Sequence, residues 1–122
     1  MPDRTLLKEK LEQVRDALLR IQKRFSDIKK PEDFHSDEAS VDKLDAIAMM
    51  LIAIGETFKK IDKETDGHLL KRFPQIDWKG IKGVRDVIAH DYFEIDIEDI
   101  YQICQHDIAP LLETVDTMLK EL

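Results

Sequence analysis

Apolar residues recur at helical spacing through most of the chain. Leu7, Leu11, Val14, Leu18, Ile21, Phe25 and Ile28 step by 4, 3, 4, 3, 4, 3. Such a stripe lines one face of a helix running from about Thr5 to Ile28. Asp3 or Thr5 can cap its start. Pro31 predicts its stop, because proline disfavours helical geometry in the residue before it. A second stripe comprises Val41, Leu44, Ile47 or Ala48, Leu51, Ile54, Phe58 and Ile61. It predicts a helix that starts between Ser36 and Ser40 and ends near Asp66-Gly67, with Gly67 as the C-terminal stop. The middle of this helix is apolar nearly all round, so it is expected to be the most buried element, with Met49-Met50 as core filler. Gly55 inside it costs ~1 kcal/mol relative to alanine. A glycine there implies that another backbone passes close by.

Residues 68–79 break the periodicity, and Asp77 is a candidate N-cap for a short third helix from Trp78 to His90 or Tyr92. Phe93-Glu94-Ile95-Asp96 reads as a turn. Asp96 or Asp99 can cap a last helix that reaches Leu122, kinked where Pro110 interrupts it. No segment alternates convincingly with period 2. The expected fold is all-α: a single domain, residues 1–122, built as an antiparallel up-and-down four-helix bundle.

Composition narrows the function classes. A chain of 122 residues can bury about 65% of its unfolded surface and needs no disulfide or zinc staple. The lone Cys104 suits a reducing cytosol. No apolar run reaches the ~20 residues that cross a bilayer, and the N-terminus has no apolar signal core. A cytoplasmic protein with no membrane association is expected. The net charge of −7 argues against a generally basic nucleic-acid coat. The charge is uneven, however. Residues 1–85 hold 18 basic and 16 acidic side chains, whereas residues 86–122 hold one basic and ten acidic. Any RNA contact is therefore expected to be local, leaving the acidic last helix for solubility or a partner.

The candidate chemistry lies in Gly83-Val84-Arg85-Asp86-Val87-Ile88-Ala89-His90-Asp91-Tyr92. Arginine holds phosphate oxygens bidentately, and histidine exchanges protons near neutral pH. Together they suit RNA cleavage without a metal. The ribose 2′-hydroxyl attacks the adjacent phosphorus, His90 acts as general base or acid, and Arg85 stabilises the phosphoryl charge. Asp86 is a candidate support for the His90 ring. On one ideal helix Arg85 and Tyr92 share a face, as do Asp86 and His90, but Arg85 and His90 lie roughly 140° apart. They converge on one target only if the helix unwinds near His90, Arg85 reaches round, or a second subunit completes the site. A salt bridge or helix-end contact is the competing structural role. Lys79 and Lys82 are candidate RNA contacts or a solvated face. Trp78 reads as a core or interface anchor, and His35 and His68 as solvated polar residues. Cys104 and His106 have no further ligands to complete a metal site, so no metal is expected.

Here the sequence resembles a family. Arg-Asp-Val-Ile-Ala-His-Asp-Tyr matches the Arg-x4-His-x-Tyr motif of HepT-like toxins, members of the HEPN superfamily. Ile54-Gly55-Glu56, the run from Pro74 to Arg85, Tyr92-Phe93-Glu94-Ile95-Asp96 and Asp107-Ile108-Ala109-Pro110-Leu111 resemble further family signatures in the right order, from about Val41 to Leu122. Ala109 stands where the family has a proline. Asp86 stands where HEPN proteins often have asparagine.

The resemblance implies a HEPN-like helical bundle that forms a homodimer, the motif helices of two subunits meeting across a cleft. It implies a metal-independent endoribonuclease toxin of a type VII-like toxin–antitoxin pair, acting on RNA with Arg85 and His90 and leaving a 2′,3′-cyclic phosphate. Its antitoxin would be a minimal, MntA-like nucleotidyltransferase that adenylylates Tyr92. ATP or AMP would enter only through that partner, so no cofactor of the chain's own is expected. Two alternatives stay open: a non-catalytic HEPN module that docks and regulates a nucleotidyltransferase, and a nucleotide-binding protein in which Arg85 holds a phosphate.

Overall fold

The computed structural model describes residues 3–89 and 94–122. Among them lie six α-helices: α1 Arg4–Phe25, α2 Glu38–Glu64, α3 Trp78–Lys82, α4 Val84–Ile88, α5 Ile97–His106 and α6 Ile108–Lys120. They form four legs of an all-α bundle: α1, α2, α3–α4 and α5–α6.

Each long leg begins on an aspartate whose carboxylate accepts backbone N–H groups left unpaired at a helix start. Asp3 accepts from the Thr5 and Leu6 amides, Asp37 from Ser40 and Asp96 from Asp99. Asp37 is held below the usual carboxylate range, chiefly by its side-chain hydrogen bond to Ser40. α1 ends at Phe25, where the Ser26 hydroxyl donates to the Lys23 carbonyl at 2.8 Å. Pro31 then opens a 3-10 turn, Pro31–His35, rather than stopping α1 itself. α2 ends where Asp66 and Gly67 take φ of 53° and 74°, the left-handed geometry that glycine adopts without strain.

Ion pairs fix the directions. Lys10, early in α1, meets Glu64 at the end of α2 at 2.6 Å, while Asp27 after α1 meets Lys43 early in α2 at 3.3 Å. α1 and α2 are therefore antiparallel. The Tyr101 hydroxyl of α5 donates to the Lys29 carbonyl beyond the end of α1 at 2.8 Å, so the last leg starts at that same end. α1 packs between α2 and α6, and α3–α4 pack on α2. The predicted stripes fill the core: Leu11, Leu18, Ile21, Ile47, Phe58 and Ile61 are fully buried.

Two expectations need correction, one on the third leg and one on Met49. The third leg is two short helices broken at Gly83, and it stops at Ile88 rather than at His90 or Tyr92. The last leg is interrupted as Pro110 predicts, the break falling at Asp107, three residues ahead of the proline. Proline in the first turn of α6 cannot donate to the His106 carbonyl, and its ring crowds that position. Met49 is 74% exposed, so α2 is not buried all round and only Met50 packs on the core. Phe34, in the 3-10 turn between α1 and α2, is fully buried beside Phe25, 6.3 Å between ring centroids.

Cys104 is buried, and burial, aided by Asp107, pushes its thiol up to about 12. A thiol held protonated in this way is a poor nucleophile. His35 and His68 are exposed. Among the described residues no helix is long and apolar enough to cross a membrane.

Candidate active site

The third leg is seated by four local devices. Asp77 caps α3, its carboxylate accepting from the Gly80 amide at 3.0 Å. Trp78 packs at a tilt against Phe58 with ring centroids 4.9 Å apart, and its indole N–H donates to the Phe73 carbonyl at 2.9 Å. Trp78 is thus an anchor against the core. Gly55 lets the backbone of α3 approach α2: a Cβ there would stand 2.5 Å from the Ile81 carbonyl oxygen and 3.2 Å from a Val84 methyl. Val84 and Ile88 then plug α4 into the core.

With Val84 and Ile88 turned inward, Arg85 and Asp86 point to solvent. Neither makes an ion pair or side-chain hydrogen bond among the described residues. An arginine with no ion-pair partner among the described residues, in a chain of net charge −7, is available to an external anion.

α4 is terminated by a non-local contact. Ala89 takes extended backbone, φ −125° and ψ 104°, and bridges antiparallel to Ile95. The Asp96 amide donates to the Ile88 carbonyl at 2.8 Å. The chain thus leaves α4 at Ala89 and is back beside it at Ile95. His90 and Tyr92 lie outside the described residues. The helical angles of 140° between Arg85 and His90, and of one shared face for Arg85 with Tyr92 and for Asp86 with His90, no longer apply, because the helix ends before His90.

Lys79 is exposed with no ion pair among the described residues. Lys82 is half-buried and donates to Asp62 at 2.8 Å, so its resting contact is an ion pair with α2.

The other flank of α3–α4 carries a feature that the motif argument did not single out. A groove of about 430 Å³ runs between this leg and α5–α6, lined by Ile54, Ile81, Val84, Val87, Ile103 and Pro110 among others. Asp77, His106 and Asp107 also border it. Burial holds the Asp107 carboxyl above its ordinary range; His106 opposes the rise and Asp77 adds to it. Ile81, Val84 and Val87 step by three, and that spacing was the available signal. The groove takes these residues and not Lys79, Lys82 or Arg85. α3–α4 therefore turn an apolar flank to α5–α6 and a basic flank away from it.

Comparison with known proteins gives concordant results. A family model described as Ribonuclease HepT-like matches residues 10–118. "Putative RNase MJ0125" of Methanocaldococcus jannaschii is 29% identical over 77 residues, which cover 63% of this chain and 63% of that protein. "Putative RNase MJ1216" of the same organism is 27% identical over 77 residues, covering 63% of this chain and 60% of the relative. "Putative RNase TTE0752" of Caldanaerobacter subterraneus subsp. tengcongensis is 29% identical over 76 residues, 62% of this chain and 64% of the relative. The chain thus spans a little under two thirds of these relatives' lengths. No solved structure matches at a significant level.

Proposed function

The chain belongs to the HepT-like ribonuclease family, and from that premise we propose that it is a toxin that cleaves RNA at a site built from Arg85 and His90. The observation that carries the proposal is Arg85: exposed, without an ion-pair partner among the described residues, and one turn before the end of α4.

The chemistry is transesterification followed by release. The 2′-oxygen attacks the neighbouring phosphorus, the bond from phosphorus to the 5′-oxygen breaks, and a 2′,3′-cyclic phosphate and a 5′-hydroxyl are left. One proton must leave the 2′-hydroxyl and one must reach the departing 5′-oxygen. In a homodimer with two motifs across one cleft, one His90 takes the first proton and the other His90 supplies the second. Arg85 holds the phosphoryl oxygens as charge builds on them. Asp86 steadies the His90 imidazolium. No metal is required for any of these steps.

Control is exerted at Tyr92. A minimal nucleotidyltransferase partner catalyses attack of the Tyr92 hydroxyl on the α-phosphorus of ATP, leaving AMP on the tyrosine and releasing pyrophosphate. The AMP then fills the place of the RNA phosphate. What supports this step is the resemblance around Tyr92 and the family membership.

Purified protein should cut RNA in the presence of a chelator, and His90→Ala should abolish the cutting. Equal cutting by the alanine variant removes His90 from the reaction. Intact mass after co-expression with the partner should show AMP on the wild type and none on Tyr92→Phe.

The apolar groove beside α4 favours a second reading, a non-catalytic module that docks a nucleotidyltransferase. A stable complex with that partner, and no RNA cleavage by the free protein, selects it.

A further inference from the structure

We infer that the seam between α2 and α3 is the track along which the RNA strand reaches Arg85. This inference rests on the reading that the chain cleaves RNA, and it assigns a substrate-binding role to Lys59 and Lys63 as well as to Lys79 and Lys82.

The seam is defined by contacts already described. Gly55, Lys59 and Asp62 step by four and three along α2, so they occupy one stripe of that helix. Gly55 lies against the Ile81 carbonyl and Val84. Asp62 meets Lys82 at 2.8 Å. Lys59, between them, therefore borders the same seam, and Lys63 follows it by one turn. Across the seam Lys79, Lys82 and Arg85 step by three, and none of them enters the apolar groove. Three helices, α2, α3 and α4, thus present five cations along one edge.

The anions on that edge are Glu56, Asp62 and Asp86. Glu56 is paired with Lys59 at 3.2 Å and Asp62 with Lys82. Glu64, the next carboxylate, is turned away to Lys10 at 2.6 Å. The edge keeps two cations in excess, while the whole chain carries −7. Lys63 and Lys79 are exposed and make no ion pair among the described residues. The exposed Lys59–Glu56 pair is weak and exchangeable in water, so Lys59 can turn to a phosphate at little cost.

Length fits a strand. From the Gly55 turn, where Arg85 sits alongside, to Lys63 is eight residues, about 12 Å at 1.5 Å per residue. At about 3.4 Å per phosphate that is three to four nucleotides of stacked strand. An apolar or basic ligand has no counterpart on this edge; a polyanion does.

The test is steady-state cleavage by the full-length protein of an unstructured RNA of about ten nucleotides, and of a dinucleotide too short to reach the seam. Lys63→Glu combined with Lys79→Glu removes two cations and breaks no ion pair. For the long RNA its KM should rise about tenfold, and its slope of log affinity against log salt should flatten by roughly 1.4, about 0.7 for each lost phosphate contact. For the dinucleotide its KM should stay within twofold of wild type. Arg20→Glu combined with Lys23→Glu, on the outer face of α1, should leave both KM values unchanged. An unchanged KM and salt slope for the long RNA overturn the track while the cleavage assignment stands. An equal KM rise for the dinucleotide also overturns it, since the lysines then act at the cleaved bond itself. Absence of any RNA cleavage by the wild type overturns the functional reading, and the track with it.

Discussion

Arg85→Ala is expected to slow RNA cleavage by about 10²–10³-fold, the usual cost of deleting one donor that stabilises charge in a transition state. The fold should survive the change. The Arg85 side chain is exposed and, among the described residues, holds no other group in place. Surface substitutions of this kind cost within about 0.5 kcal/mol. Loss of activity at unchanged thermal stability would therefore report chemistry rather than folding. Arg85→Lys separates charge from geometry. Lysine restores a cation but not the planar fork that grips two phosphoryl oxygens at once. Its rate should fall between those of the wild type and alanine. Rate measurements at saturating RNA, paired with thermal unfolding, check both expectations. A rate equal to wild type for the alanine variant would exclude Arg85 from the transition state.

The second large effect is structural and reverses the usual sign. Glycine to alanine inside an exposed stretch of helix stabilises by ~1 kcal/mol. At Gly55 the added Cβ would stand 2.5 Å from a backbone carbonyl oxygen and 3.2 Å from a Val84 methyl. The carbonyl belongs to α3 and cannot rotate away as a long side chain can. Overpacking of this type costs about 1–3 kcal/mol. Gly55→Ala should therefore destabilise by up to about 2 kcal/mol net, lowering the thermal midpoint by up to roughly 8 °C in a domain of this size. Activity should drop as well, because the leg that is pushed outward carries Arg85. A midpoint that rises instead would mean that α3 yields easily and that Gly55 does not set its seat.

Local signals were legible in the sequence. The aspartate caps at Asp3, Asp77 and Asp96 act on amides two or three residues away, so their effect is written in adjacent residues. The apolar stripes of α1 and α2 were equally direct, and Gly55 announced a close backbone approach before any neighbour was known. What escaped depended on distant partners. α4 stops at Ile88 because Ala89 pairs with Ile95, a contact that no helical periodicity encodes. Met49 lies in an apolar stretch but faces outward, because four legs cannot enclose every side of α2. The burial of Phe34 had no local signal, since it depends on Phe25 of α1 and on the packing of α5. At the candidate site, the residue types Arg85, Asp86, Lys79 and Lys82 were legible from the motif and its approach. The groove behind them was not, since half its lining comes from α2 and α5–α6. The Lys82–Asp62 pair was equally hidden, being 20 residues apart in sequence.

The central claim is that the protein cuts RNA by attack of the 2′-oxygen on the neighbouring phosphorus. The most direct measurement uses two oligonucleotides of one sequence, both with excess chelator. One is RNA throughout; the other carries a single 2′-deoxyribose on the 5′ side of the cleaved bond. The first should be cut to a 2′,3′-cyclic phosphate and a 5′-hydroxyl, and the second should be left intact at that position. Cutting of both, or products ending in a 3′-hydroxyl and a 5′-phosphate, would contradict it.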